Sequence, residues 1–417
     1  MQVHPVADPV HPTFIFRGGG VQRRLLASAA EWSPQTAVPQ PAPADSEETA
    51  VKTKRRAPRA RLAAVGIATS CALFVAGCGA ANEGGGSDAQ GSGVTGQIAG
   101  AGASSQQAAM QAWIAGFGGA NPGATVNYQP VGSGGGRTQF IQGGVQFAGT
   151  DAYLKDDELA KARERCGGSV IEVPSYVSPI AVVFKLNGVN DLTLSPATIA
   201  GLFKGQITTW NDPKIAADNP GVQLPATRVT PVHRSDESGT TQNFTDFLNK
   251  AAPSVWTDKA AQTWPVQGGE AAQGTSGVVT AVGGGDGTIG YADASQAKDL
   301  GKAKVKLGDQ AVEPTAEAAA KILEESKRVE GQGDTSFAFD LNRTATGGAY
   351  PVVLVSYLLA CPQYPDAAQA DTTKAFLKYV VSSEGQQTAA QNAGSAPLSD
   401  TLRGQIDPVI DQIKAQG

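Results

Sequence analysis

Four times in this chain a strand-like apolar run ends in a hydroxyl or an acid, at Ser104, Ser133, Asp151 and Ser238. Open α/β sheets bind ligands in that place, outside the carboxyl ends of their strands. A chain with this recurrence is expected to be α/β, with the four positions facing one ligand.

The fullest of the four is Val229-Thr-Pro-Val-His-Arg-Ser-Asp-Glu-Ser-Gly-Thr240, where a short apolar run breaks into a polar loop and Thr240 opens a helix-like stretch. Orphan N–H groups and the positive dipole end favour an anion at such a helix start. Arg234 offers a planar fork of donors to a tetrahedral oxyanion, and Asp236 is placed to orient that fork by pairing with it. Ser238 and Thr240 add hydroxyls, and Gly239 lets the backbone approach a ligand closely. Taken alone, the loop also fits a surface turn with a solvated ion pair.

Two earlier turns carry glycine. Val94 to Gln106 reads as a strand entering a glycine turn, with Ser104 or Ser105 expected to cap the next helix. Met110, Trp113, Ile114 and Phe117 follow at helical spacing as core residues, and Gly118 is the expected stop. Val131-Gly-Ser-Gly-Gly-Gly-Arg137 follows a strand at Thr125 to Gln129. It lacks the Lys-Ser/Thr ending of a P-loop and the spacing of a dinucleotide fingerprint, so no nucleotide is expected. In Val145-Gln-Phe-Ala-Gly-Thr-Asp151, alternation leads to an acid at a strand end, which taken singly reads as a turn residue or cap.

The 417 residues suggest two or more domains at ~150 residues each. Residues 52–61 are densely basic, and Leu62 to Gly77 is an apolar run too short for an ordinary membrane span, so 51–77 reads as a signal peptide. The run ends Val75-Ala76-Gly77-Cys78, which resembles the lipobox of bacterial lipoproteins and makes Cys78 the expected lipid anchor; cleavage after small residues without lipidation is the alternative. Residues 1–50 are rich in Pro and Ala and are expected to be unstructured, upstream of a true start at Val51. Residues 78–93 read as a flexible tether, with folded structure from about Val94.

From Cys78 onward 340 residues remain. Removing nine of the 33 basic and five of the 38 acidic residues leaves 24 against 33, a net charge of −9. Nucleic acid is a disfavoured partner for such a chain. A small anion is not, because local donors in a cleft outweigh screened distant charge. Beyond Cys71 in the signal and Cys78, only Cys166 and Cys361 remain, and in an oxidising compartment they are expected to form a disulfide, two buried free thiols being the alternative.

At this point the chain resembles a known family. Gly100-Ala-Gly-Ala-Ser-Ser, Gly132-Ser-Gly-Gly-Gly, Phe147-Ala-Gly-Thr-Asp and Arg234-Ser-Asp-Glu-Ser-Gly-Thr look like the motifs of the phosphate-binding lipoproteins that serve the high-affinity phosphate ABC transporter, the PstS family. Leu202-Phe-Lys-Gly-Gln-Ile-Thr-Thr-Trp-Asn-Asp, Gly287-Thr-Ile-Gly-Tyr291 and Ala349-Tyr-Pro351 support the likeness, which runs from about 94 to 400. It implies a two-lobed periplasmic-binding-protein fold of type II, each lobe a mixed sheet flanked by helices, with the ligand in the interlobe cleft. Lobe I would comprise 94–175 plus 340–417, which puts both cysteines in it, and lobe II 176–339.

The resemblance implies that Ser104, Ser105, Ser133 and Asp151 contact phosphate from lobe I, and Arg234, Ser238, Gly239 and Thr240 from lobe II. Where the family often has an Asn, this chain has Thr275 and Ser276, so Thr275 is the corresponding candidate. Ser105 stands where a bulky residue is common, and there the backbone N–H is the expected contact. An ionised Asp151 would accept the proton that phosphate carries near neutral pH, whereas sulfate has none to give and would be repelled. Implied partners are inorganic phosphate, the membrane permease of a phosphate ABC transporter and, through the lipid anchor, the outer face of the bacterial cell membrane. A monomer with no cofactor and no metal is expected.

Two other classes remain. A phosphatase or serine hydrolase would use Ser238, but no G-x-S-x-G elbow is present and His233 is the one histidine after Cys78. A binder of another oxyanion, or a surface phosphate sensor without a transport role, is the nearer alternative. The stretch from Ala316 to Glu330 is expected to be a solvated helix face.

Overall fold

The computed structural model describes residues 93–417. The expectations for 1–50, for the signal peptide 51–77, for Cys78 and for nearly all of the tether lie outside the described residues.

The chain opens as alternating strands and helices. β1 (Gly96–Gly102) leads to α1 (Gln107–Ala120), which buries Met110, Trp113 and Phe117 on one face. The helix passes through Gly118, the expected stop, and Gly119. A Cβ at either would meet nothing within 4 Å, so these glycines mark no close approach. Termination falls to Asn121, whose N–H and Nδ2 both bond the carbonyl of Phe117, and to Pro122, which disfavours helix in the residue before it. β2 (Ala124–Gln129), α2 (Ser133–Ile141), β3 (Phe147–Thr150) and α3 (Asp156–Arg165) follow. α3 has Asp156, Asp157 and Glu158 in its first turn and Arg163 and Arg165 in its last, matching the helix dipole at both ends.

β4 (Ile171–Lys185) is fifteen residues long and buried along all but its last. After it come β5 (Thr193–Leu194), α4 (Pro196–Phe203), α5 (Pro213–Asp218), β6 (Thr230–Arg234), α6 (Gly239–Ala251), β7 (Glu270–Ala272), α7 (Gly274–Gly283), β8 (Thr288–Asp293), β9 (Gly301–Leu307) and β10 (Gln310–Val312). α4 starts as its sequence predicts, with Pro196 at N1 and Ser195 accepting from Thr198 N–H. α8 (Ala316–Glu324) then buries Ala318, Ala319 and Ile322, so the stretch expected as a solvated helix face has an apolar side. It is also shorter than expected, because Lys327–Arg328 leave the helix as β11 and pair with β12 (Phe339–Asp340). β13 (Val353–Ala360), β14 (Gln363–Tyr364), α9 (Ala367–Val381), α10 (Ser383–Ala393), α11 (Asp400–Ile410) and β15 (Lys414–Ala415) complete the chain.

One mixed sheet runs β2-β1-β3-β13-β4-β8-β6-β7, with β9 joining β4 to β5 and β10. β4 serves both halves of it. Ile171–Pro179 pair with β13, and Ile180–Lys185 pair with β8. The parallel strands β1 and β3 end at Gly102 and Thr150, and the parallel strand β6 ends at Arg234. Cys166 and Cys361 are disulfide-bonded as expected, with Cα atoms 5.0 Å apart across 195 residues of chain. Among the described residues no helix is long and apolar enough to cross a membrane.

Candidate functional site

The turn after β1 carries Ser104 and Ser105 without using either as a cap. Gln106 is the N-cap of α1, with no side-chain capping bond. The hydroxyls turn away from the helix instead. Ser104 Oγ accepts from Thr275 N–H at 3.1 Å and lies 3.1 Å from Thr275 Oγ1, while Ser105 Oγ donates to Asp151 Oδ1 at 2.7 Å. The second turn reaches α2 through Gly132 at φ +90°, a conformation that favours glycine. Ser133, the first residue of α2, accepts from the backbone N–H of Asp151 at 3.1 Å.

Across the sheet, β6 delivers Arg234 to the start of α6. Nε and Nη2 donate to the two oxygens of Asp236 at 2.7 and 2.5 Å, a bidentate pair that fixes the guanidinium plane. Asp236 Oδ1 also accepts from Gly274 N–H at 3.0 Å, tying the pair to the start of α7. Burial pushes the Asp236 carboxyl up, but the hydrogen bonds and charge of Arg234, with the Gly274 N–H, hold it below the usual carboxylate range. Among the described residues no protein acceptor takes Arg234 Nη1. Ser238 caps α6 by accepting from Thr241 N–H at 3.1 Å, which leaves its own proton to donate. Thr240 Oγ1 donates to Asp151 Oδ2 at 3.2 Å.

Gly239 sits where the two sides meet. A Cβ on it would lie 2.6 Å from both Asp151 Cβ and Ser133 Oγ, so only glycine admits this approach. Ser104, Ser105, Ser133, Asp151, Arg234, Ser238, Thr240 and Thr275 are each at most 3% exposed. The eight are drawn together through Asp151 on one side and through Arg234, Asp236 and the start of α7 on the other. Asp151 is a buried acid among donors. Burial raises its carboxyl above the ordinary value, against the hydrogen bonds from Ser356 and Ser105, the charge of Arg234 and the Thr240 hydroxyl.

Several members of this neighbourhood escaped the sequence reading. Ser356 Oγ donates to Asp151 Oδ1 at 2.5 Å, and Asn243 Nδ2 donates to the Asp151 carbonyl at 2.7 Å. Gln296 Nε2 donates to the carbonyls of Ser104 and Ser105 at 2.8 and 2.7 Å. Arg137 is buried and bonds Glu158, Thr150 and Gln262, so it links the end of β3 to the segment after α6. For Ser356 the available signal was one small polar residue within an apolar strand. The other three carry no local mark.

This arrangement suits a small tetrahedral oxyanion: hydroxyls, helix-start N–H groups and one guanidinium supply donors, and one carboxylate supplies an acceptor. It does not suit hydrolysis. His233 stacks on Trp264 with ring centroids 5.1 Å apart, and its Nδ1 lies 3.0 Å from the Arg234 carbonyl oxygen. Among the described residues no group of three or more His, Cys, Asp or Glu is placed to hold a metal.

Comparison with known proteins agrees with the fold and the motifs. The profile of the PBP superfamily domain matches residues 87–384. The phosphate-binding protein PstS2 of Mycobacterium bovis is 35% identical over 300 residues, covering 69% of this chain and 80% of the relative. The phosphate-binding protein PstS of Xylella fastidiosa is 34% identical over 293 residues, covering 68% and 76%. Among solved structures, a high-affinity periplasmic phosphate-binding protein (PfluDING) bound with phosphate aligns with a TM-score of 0.61 at 25% identity, covering 75% of this chain and 93% of that one. A phosphate-binding protein from Stenotrophomonas maltophilia shares the fold, with a TM-score of 0.61 at 20% identity over 75% and 93% of the two chains. The chain belongs to the PBP superfamily and, within it, to the PstS family of phosphate-binding proteins, with their two-lobed α/β fold of type II.

Proposed function

We propose that this protein captures inorganic phosphate outside the cytoplasm and delivers it to the membrane permease of an ABC transporter, as a binding protein and not an enzyme. The observation that carries the reading is Asp151, a buried carboxylate ringed by hydroxyl donors from both sides of the cleft. An ionised carboxylate there accepts the proton of a hydrogen phosphate in a charge-assisted bond. Sulfate sets only oxygens against it and leaves an unpaired contact in a dry site, which supports strong discrimination.

Ser104, Ser105, Ser133 and Asp151 hold the anion from one side, and Arg234, Ser238, Gly239, Thr240 and Thr275 from the other, with Asp236 orienting Arg234. The lobes are 94–175 plus 340–417 and 176–339. Cys78 anchors a monomer to the outer face of the cell membrane, and the disulfide suits that oxidising location.

The test is a calorimetric titration of ligand-stripped protein with phosphate and then sulfate at neutral pH, repeated for Asp151→Asn. Tight 1:1 phosphate binding without sulfate heat is expected, with selectivity lost in the variant. Well-folded protein that ignores phosphate would redirect the search to another oxyanion.

A further inference from the structure

Every residue of β13, Val353-Leu-Val-Ser-Tyr-Leu-Leu-Ala360, is buried, and Ser356 is its one small polar side chain. A hydroxyl left unpaired at such depth costs about 1–3 kcal/mol, so its partner is informative. That partner is Asp151 Oδ1, at 2.5 Å. Strand register explains the meeting. Tyr357 pairs with Thr150, the last residue of β3, which sets Ser356 beside the residue that follows. The ladder between β13 and β4 also slips here, with Ser356 opposite Tyr176 and Tyr357 opposite Pro174, so the extra residue is Ser175 of β4.

Asp151 Oδ1 therefore takes two hydroxyl protons, one from Ser105 and one from Ser356, which fill its acceptor sites. Oδ2 has only the longer bond from Thr240, at 3.2 Å. We infer that Ser356 is a positioning and specificity residue: with Ser105 it saturates Oδ1, fixes the carboxylate plane, and leaves Oδ2 as the acceptor for a proton carried by the anion. The inference rests on the phosphate reading above.

The same bond opposes the effect of burial on Asp151. The charged group facing Asp151 is Arg234 from β6; Tyr128 from β2 is held protonated by burial and by the Asp151 charge. From the turn before α1, from α2, from β13 and from α6 the facing groups are uncharged: Ser105, Ser133, Ser356, Thr240 and Asn243. Without the Ser356 hydroxyl, Asp151 must ionise at higher pH.

Two measurements on the full chain test this in wild type, Ser356→Ala and Ser356→Thr. One follows the Asp151 carboxyl carbon by NMR titration without ligand, assigned with Asp151→Asn. The other follows phosphate affinity by calorimetry from about pH 5 to about pH 8. In Ser356→Ala the NMR midpoint should rise by about one pH unit and phosphate affinity should fall about tenfold, most at the acid end. Ser356→Thr, which keeps a hydroxyl, should restore both. An unmoved midpoint in Ser356→Ala overturns the inference, as does a threonine variant that behaves like alanine, since packing alone would then explain both. A shifted midpoint with no phosphate binding by any variant, wild type included, removes the phosphate reading and upholds Ser356 as the residue that sets Asp151.

Discussion

At the scale of single residues, burial raises the carboxyls of Glu172, Asp293 and Asp151 above their ordinary values. Burial pushes Glu172 on β4 up to about 7, although Ser336 Oγ, the Leu154 N–H and the charges of Arg137 and Arg163 act the other way. Asp293, at the end of β8, is raised by burial to about 6. A carboxyl raised in the fold adds stability below its unfolded value, and that contribution is lost as pH rises through the folded one. For Glu172 the loss runs from 4.5 to about 7 and is on the order of 3 kcal/mol. Acids held low, such as Asp236 and Asp218, lose their contribution below that window. Urea melts across it should show stability falling with rising pH in wild type and falling less in Glu172→Gln, where the part owed to Asp293 remains. Equal slopes in the two proteins would remove Glu172 as the cause.

At the scale of elements, the start of α6 works by closeness. Glycine at 239 lets the helix N–H groups reach the end of β3 and the start of α2, and one added methyl would have to displace Asp151 or Ser133. Alanine is the better helix former, but displacing buried Asp151 or Ser133 outweighs that gain, so Gly239→Ala should lower the melting temperature of the ligand-free chain. Phosphate affinity of the folded variant should also drop by tenfold or more, on the order of the 1.4 kcal/mol that one misplaced contact removes. Calorimetry with undiminished affinity in this variant would mean that the cleft does not close to the separation described here. The glycine turn and the Ser-Gly-Thr loop were legible because strand-to-helix turns are local and depend on residue type. The length of α1 was not, because Gly118 is permissive at a helix end and the stop lay at Asn121-Pro122.

At the scale of the whole molecule, β4 and the disulfide hold sequence-distant segments together. β4 is hydrogen-bonded to β13 along its first part and to β8 along its second, so the sheet remains continuous through the crossing. Cys166 follows α3 and Cys361 follows β13, and the bond between them closes a loop of 195 residues. Closing so long a loop restricts the unfolded chain, and replacing both cysteines by alanine should lower the unfolding free energy by about 3–5 kcal/mol. Neither cysteine bonds the residues around Asp151, so phosphate affinity of the double variant should stay within about twofold, on the order of 0.4 kcal/mol. A large affinity loss on top of the stability loss would place the disulfide in control of the cleft.

The sequence by itself determined the α/β class, the four strand-end turns, the Arg234–Asp236 pair and the cysteines that bond, because each depends on local pattern, a two-residue spacing or elimination. Tertiary structure decided how the hydroxyls are used. Ser104 and Ser105 looked like helix caps, yet they bond residues 171 and 46 positions away, and Ser356 reaches Asp151 across 205. Strand order and register determine those pairings, and a hydroxyl accepts any donor or acceptor that burial brings to it. The acid could therefore be placed at its turn, but which hydroxyls bond it depends on strand register, as with Ser356 of β13.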